Sequence, residues 1–265
     1  MVDWAAIENA GLFAIPPARL EPDDANFYHT MELPGYGLKE GPWDLRADID
    51  SYLGHVDHQS RSILDIGTAS GFLAFEMEKR GGRVVAVDLP IDGTPDIFPT
   101  LGIDWTECKP LVRSHLQRAR NAFWLAHKAF NSKVRLIESN VHELDPSLTG
   151  FDVAMIGNVM QHLRDPIRML LDISDRAQTI VVTEADWREG TLDDKPVMEL
   201  CTSAIESGRV GSWFMMSPRL VEDIFTSKGL TIVARDIHRR SYTAASAQEP
   251  LSVRHYTITA TKAPP

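Results

Sequence analysis

Hydrophobic and polar positions along this chain switch between two rhythms. Short, almost unbroken apolar runs fall at residues 62–66, 83–87, 133–138, 151–157 and 179–183. Runs of that length read as strands buried on both faces of a sheet. Between them, apolar residues recur at helical spacing over 72–80, over 110–130 and from Asp165-Pro166 onward. Proline at a first helical position and glycine after a last turn, here Pro166 and Gly81-Gly82, mark helix limits. Further helices are expected over 3–10, from Gly41-Pro42 to about residue 55, over 195–206 and from Ser217-Pro218 to Lys228. Residues 230–237 and 252–261 read as a last antiparallel strand pair. Strand alternating with helix predicts an α/β fold: a doubly wound, seven-stranded, mostly parallel sheet. Residues 1–58 precede it as an N-terminal helical and lid segment, and 59–265 carry the sheet. Residues 27–37 are aromatic, glycine-containing and irregular. They suit a lid over a pocket or packing against the outer helices. Arg113, Arg118 and Arg120 of the long helix are expected to face solvent.

The stretch from Ser62 to Pro90 organises the rest. A strand, the small-residue turn from Gly67 to Gly71, a helix and a second strand follow in order, with Asp88 closing the second strand. An acid about twenty residues past a glycine turn is placed to grip a ribose diol at the carboxyl edge of a parallel sheet. Gly67 and Gly71 let a ligand approach the backbone and let the chain turn sharply. Asp65, just before the turn, would repel a pyrophosphate and attract an ammonium or sulfonium group. These residues favour S-adenosyl-L-methionine over a dinucleotide as the cofactor. The expected contacts are Asp65, Gly67, Thr68, Gly71, Asp88 and Leu89, with Asn140 and Val141 near the adenine and Asn158 at the end of the fourth strand.

Composition narrows the partners. A net charge of −10 supplies no basic groove, so a small-molecule substrate is expected rather than nucleic acid. Two cysteines, Cys108 and Cys201, are too few for a disulfide framework or a cysteine zinc site. No apolar run is long enough to span a membrane, and the acidic start lacks a basic leader segment. The cytoplasm is the expected location, and a homodimer is compatible with the sequence. Asn158, Glu184 and Asp186 match a catechol-type metal site poorly, so no metal is expected.

The turn resembles the glycine-rich motif of class I S-adenosylmethionine-dependent methyltransferases, a Rossmann-like family. Their acid-x-G-x-G-x-G pattern matches at Asp65, Gly67 and Gly71, with Ala69 at the middle glycine. Four further segments are YHTMEL (28–33), GPWDLR (41–46), GNVMQHLRDP (157–166) and SWFMMSP (212–218). Together they are similar to a group of small bacterial methyltransferases related to the tRNA wobble-uridine carboxymethyltransferase. Where that enzyme has a tyrosine and a lysine, this chain has Gln161 and Glu40, which favours ordinary S-adenosylmethionine over a carboxylated cofactor. The resemblance implies methyl transfer to a small, partly apolar metabolite, with a tRNA-modifying enzyme as the alternative. Such a transfer is an in-line displacement that needs a positioned acceptor and a dry pocket. Tyr28, Trp43, Trp187, Trp213 and Met215 are expected to line it. His162, just past the fourth strand, is the first candidate for a general base taking a hydroxyl proton, and His29 is the second.

Overall fold

The structure is a computed structural model that describes residues 1–20, 22–96, 104–201, 212–244 and 249–263. Helix α1 (Trp4–Asn9) starts where the Asp3 carboxylate accepts a hydrogen bond from the Ala6 amide. The strands β1 (Met31–Leu33), β2 (Gly37–Lys39) and β3 (Trp43–Asp44) follow, then the one-turn helix α2 (Ile49–Tyr52). Next come β4 (Ser62–Ile66), α3 (Phe72–Lys79), β5 (Arg83–Asp88), α4 (Trp105–Phe130) and β6 (Arg135–Glu138). The chain continues through β7 (Phe151–Gly157), α5 (Pro166–Arg176), β8 (Ala177–Ala185), β9 (Met198–Leu200) and β10 (Phe214–Met216). It ends with α6 (Pro218–Ser227), β11 (Thr231–Tyr242) and β12 (Leu251–Thr261).

The main sheet has the order β3-β11-β12-β8-β7-β4-β5-β6. The five strands from β8 to β6 run parallel, and β12, β11 and β3 are each antiparallel to their inner neighbour. From β4 the chain winds outward to β5 and β6, then crosses back to β7 and β8. Neighbouring connections therefore diverge between β4 and β7, the point at which doubly wound sheets place a binding crevice at the carboxyl ends of their strands.

This is the doubly wound α/β sheet that the pattern predicts, with one strand more than the seven expected. The eighth is β3, formed by residues expected to open a helix. Trp43 is held as strand by its neighbours. Its amide donates to the Tyr28 carbonyl at 3.3 Å, its carbonyl accepts from Thr30 at 2.8 Å, and it lies opposite Tyr242. The helix there is only α2. The helix expected over 195–206 is also corrected in part: residues 198–200 are β9, paired with β10. Residues 202–206 of that expectation lie outside the described residues.

Apolar side chains pack on both faces of the sheet. On one face α5 and α6 cover Leu64, Ile66, Val87, Ile156 and Val182. On the other, α3 and α4 join Phe27, Met31, Leu33, Trp43, Leu45 and Tyr52 over Ile63, Ala86, Met155 and Val181. Residues before the sheet thus supply much of the second layer. Because strand side chains alternate, Asp65 shares the face of Ile63 and projects toward this second layer.

Candidate active site

The turn after β4 is drawn tight by main-chain hydrogen bonds. The Gly67 and Thr68 amides both donate to the Val87 carbonyl, at 2.9 and 3.1 Å, and Gly71 donates to Thr68 at 2.8 Å. Gly67, Ala69 and Gly71 all have positive φ, at 75°, 50° and 89°. A side chain at Gly67 would run into a Val159 methyl, and one at Gly71 into the Phe75 and Phe123 rings. The glycines are therefore demanded by backbone conformation and by protein packing around the crevice, beyond the ligand approach expected from sequence.

Asp88 faces this turn. One carboxylate oxygen accepts the Ala69 amide and the other accepts the Leu89 amide, each at 2.7 Å. Two directed hydrogen bonds hold its carboxylate over the crevice, and its remaining lone pairs stay open to a diol. Asn140 uses its side-chain oxygen to accept from the His142 amide at 2.9 Å, and Val141 starts the short turn that follows. Asn158 also serves the scaffold. Its oxygen accepts from the Ala185 amide at 2.7 Å, and its nitrogen lies 3.3 Å from His255 Nε2. His255 Nδ1 in turn lies 3.1 Å from the Val253 carbonyl. Burial lowers the His255 pKa to about 3, so the ring is neutral and Nε2 can accept from the amide.

Asp65 is the anomaly. It is fully buried, and neither carboxylate oxygen has a hydrogen-bond partner. Burial raises its pKa to about 7; the Thr68 hydroxyl, close by but outside hydrogen-bonding geometry, works against that shift and the charge of Asp88 adds to it. The Thr68 hydroxyl, the Tyr52 hydroxyl and His29 Nδ1 are also buried without a hydrogen-bond partner. Buried polar groups are nearly always satisfied, so such a set around one helix start needs an explanation. Tyr52 stands over the end of β7: a side chain added at Gly157 would meet its hydroxyl at 3.1 Å. His29 packs on Phe72, the first residue of α3, with ring centroids 5.8 Å apart. An ammonium beside Asp65, with an adenosine reaching Asp88, fits these vacant valences, so the residues present suit S-adenosylmethionine.

The N-terminal segment is fastened to the same turn. Ser70 Oγ accepts the amides of Tyr28 and His29, at 3.1 and 3.3 Å. His29 is buried, and burial lowers its pKa to about 3. Tyr28 is raised to about 12 by burial, opposed by the hydrogen bond from Trp43. Trp43 packs on Tyr242 and Trp187, with ring centroids 4.6 and 6.2 Å apart, and Trp187 meets Tyr242 edge-on at 5.8 Å. Tyr28, Trp43 and Trp187 thus come together beside the crevice. Trp213 and Met215 belong to a second group on the flank of β10. There the Trp213 amide donates to the Gln161 carbonyl at 2.6 Å and its indole to the Asp96 carbonyl at 2.8 Å. His162 is exposed and ends the short turn Met160–His162. That turn rests on Glu184, which is buried and accepts the Met160 amide at 2.8 Å. Burial raises the Glu184 pKa to about 8, against the backbone hydrogen bonds from residues 159–161.

The sequence does not single out Tyr52, Ser70 or Arg120, which the structure places near the turn and the ends of β5 and β7. Tyr52 fell at the end of an expected helix, and Ser70 read only as a small turn residue. Arg120 was expected in solvent, yet it is buried and paired with Glu138 at 2.9 Å. Among the described residues, no three His, Cys, Asp or Glu side chains converge as a metal site requires. No helix among them is long and apolar enough to cross a membrane.

No family model matches the chain, and no curated protein matches it. Solved structures do. The N-terminal domain of EvdMO1, determined in the presence of SAH (S-adenosylhomocysteine) and D-fucose, aligns with a TM-score of 0.56 at 16% identity. That alignment covers 99% of this chain and 98% of the other. The PH0226 protein from Pyrococcus horikoshii OT3 aligns with a TM-score of 0.51 at 14% identity, over 83% of this chain and 92% of that one. The likeness is one of fold.

Proposed function

We propose that this chain is an S-adenosylmethionine-dependent methyltransferase acting on a small, partly apolar acceptor at a hydroxyl oxygen. The observation that carries the proposal is the buried, unpartnered Asp65 carboxylate beside a glycine turn whose far side is held by Asp88. A dinucleotide would bring phosphates toward that carboxylate, whereas an adenosyl sulfonium brings positive charge. The fold shared with the EvdMO1 domain, whose structure was determined with S-adenosylhomocysteine, supports the same cofactor. When bound, this cofactor supplies an activated methyl group to a nucleophile held in line with it.

The chain's own residues would do the rest. Asp88 would hold the ribose, and Asp65 the amino group. Val159, Phe72 and the aromatic group of Tyr28, Trp43 and Trp187 would keep water away from the transfer. Between the two histidines, His29 suits the acceptor role better than His162. It is buried, anchored to the turn through Ser70, and carries a free ring nitrogen. With its pKa near 3 the ring stays neutral but is a weak base, so Nδ1 would accept a hydrogen bond from an acceptor hydroxyl and orient it rather than carry its proton away. His29→Ala is therefore expected to lower kcat by about tenfold, the worth of one positioning hydrogen bond. The binding of S-adenosylhomocysteine should change little, and His162→Ala should retain most activity. Incubation with labelled S-adenosylmethionine and a metabolite extract identifies the acceptor and provides the assay. Equal turnover in wild type and both variants removes any role for either histidine. Cofactor binding without any labelled product removes the enzyme assignment. The tRNA alternative has one specific measurement: binding of tRNA that weakens steeply with salt would support it.

A further inference from the structure

We infer that Arg120 is a cofactor-binding residue: its Nη1 donates to an acceptor atom of the adenosine, a ring nitrogen or a ribose oxygen. This inference rests on the methyltransferase reading of the crevice.

Arg120 lies on α4, the helix between β5 and β6, and only 5% of it is exposed. Its guanidinium is held from two sides. Nε donates to the Glu138 carboxylate at 2.9 Å, and Nη2 donates to the Leu89 carbonyl at 3.1 Å. Leu89 follows Asp88, and Glu138 lies opposite Asp88 in the register of β5 and β6. The guanidinium therefore spans the carboxyl ends of the two strands between which the adenosine is expected. The third nitrogen, Nη1, is buried and has no hydrogen-bond partner. A guanidinium presents its donors in a rigid planar fork, so fixing two nitrogens also fixes the direction of the third. Left unmade, a buried charged donor is costly, and a heteroatom of the adenosine is the partner the site would supply.

The same turn of α4 reaches the acceptor side. The Arg118 carbonyl accepts the Asn26 amide at 3.0 Å, and the Asn121 side chain donates to the Asp24 carbonyl at 3.2 Å. Asn26 lies two residues before Tyr28. This turn of α4, through Arg118 and Asn121, thus joins the helix that carries Arg120 to the segment that carries Tyr28 and His29.

Calorimetric titration of the full chain with S-adenosylhomocysteine and with 5′-methylthioadenosine tests this, using wild type, Arg120→Met, Arg120→Lys and Glu138→Gln. Arg120→Met is expected to weaken both ligands about tenfold or more, the worth of one charge-assisted hydrogen bond. Glu138→Gln keeps the guanidinium and should weaken them much less, although both variants lose the same ion pair. Equal losses in the two variants would make Arg120 a strand clamp and overturn the inference, as would wild-type affinity in Arg120→Met. If Arg120→Met does not fold, a crystal structure of the wild-type complex with S-adenosylhomocysteine decides. Nη1 at about 3 Å from an adenosine acceptor supports the inference, and Nη1 turned elsewhere overturns it. Wild type that fails to bind S-adenosylhomocysteine brings down the cofactor reading itself, and Arg120's role with it.

Discussion

Asp65→Asn is expected to make the ligand-free protein more stable and its hold on S-adenosylmethionine weaker. The carboxyl is fully buried and has no hydrogen-bond partner, so its charged form is the costly one. The sign of the pH dependence follows. In the unfolded chain the group titrates near its ordinary value of 3.8, and in the folded chain at about 7. Between those values the native state holds the proton that the unfolded state has lost, so stability falls as pH rises from about 4 to about 7. Glu184, raised from 4.5 to about 8, acts in the same direction. Removing the Asp65 carboxylate should therefore raise the melting temperature clearly at pH 8, by about 1–3 kcal/mol in stability, and hardly at pH 4. Affinity should respond oppositely. An ammonium group needs the ionised carboxylate, so wild-type affinity should rise as pH increases through about 7, with a proton released on binding. Asp65→Asn should flatten that rise and lose about tenfold or more at pH 8. Thermal melts and titrations at both pH values measure this. A variant that is less stable at pH 8 and binds as wild type would show that Asp65 is structural.

Gly71→Ala is expected to be the most damaging small substitution in the turn. Gly71 has φ of 89°, and an added methyl would stand 2.5 Å from the Phe75 ring and 2.7 Å from the Phe123 ring. Both rings are buried in the layer of α3 and α4 and cannot move aside cheaply. Left-handed strain of about 1 kcal/mol and overpacking of about 1–3 kcal/mol add to a loss of about 2–4 kcal/mol. Ala69→Gly is the informative contrast. Ala69 already has positive φ, at 50°, so glycine relieves strain in the folded state while adding freedom to the unfolded one. Its net effect should stay within about 1 kcal/mol. Denaturant melts of the two variants check both statements. A Gly71→Ala protein as stable as wild type would mean that the turn and the two rings can be rearranged.

The sheet was legible because its strands are buried on both faces and its helices on one. Residues 62–66 and 151–157 are almost unbroken apolar runs, and their bounds are those observed. What the pattern could not show was determined by distant partners. Trp43 and Asp44 follow a proline and read as a helix start, yet the edge of β11 captures them as a strand. Arg120 belongs to a helix rich in arginine, and nothing in its spacing separates it from its solvated neighbours. Its burial depends on Glu138 and Leu89, which other elements bring to it. The candidate site divides along the same line. Asp65, Gly67, Gly71 and Asp88 sit within one local unit and were readable as a group. The vacant hydroxyl of Tyr52 and the vacant nitrogen of His29 come from loops and short elements before the sheet. Their place at the crevice depends on contacts such as Ser70 with the amides of residues 28 and 29. Exposed His162 and buried His29 look alike in sequence, because burial of a loop histidine has no periodic signature.

The most direct test of the cofactor crevice is calorimetric titration of the full chain at pH 8 with S-adenosylmethionine and, separately, with NAD, for wild type and Asp88→Asn. One site per chain for S-adenosylmethionine, a loss of about tenfold or more in Asp88→Asn and no saturable uptake of NAD are expected. Saturable NAD binding with none for S-adenosylmethionine, or equal affinity in the two proteins, would contradict the assignment.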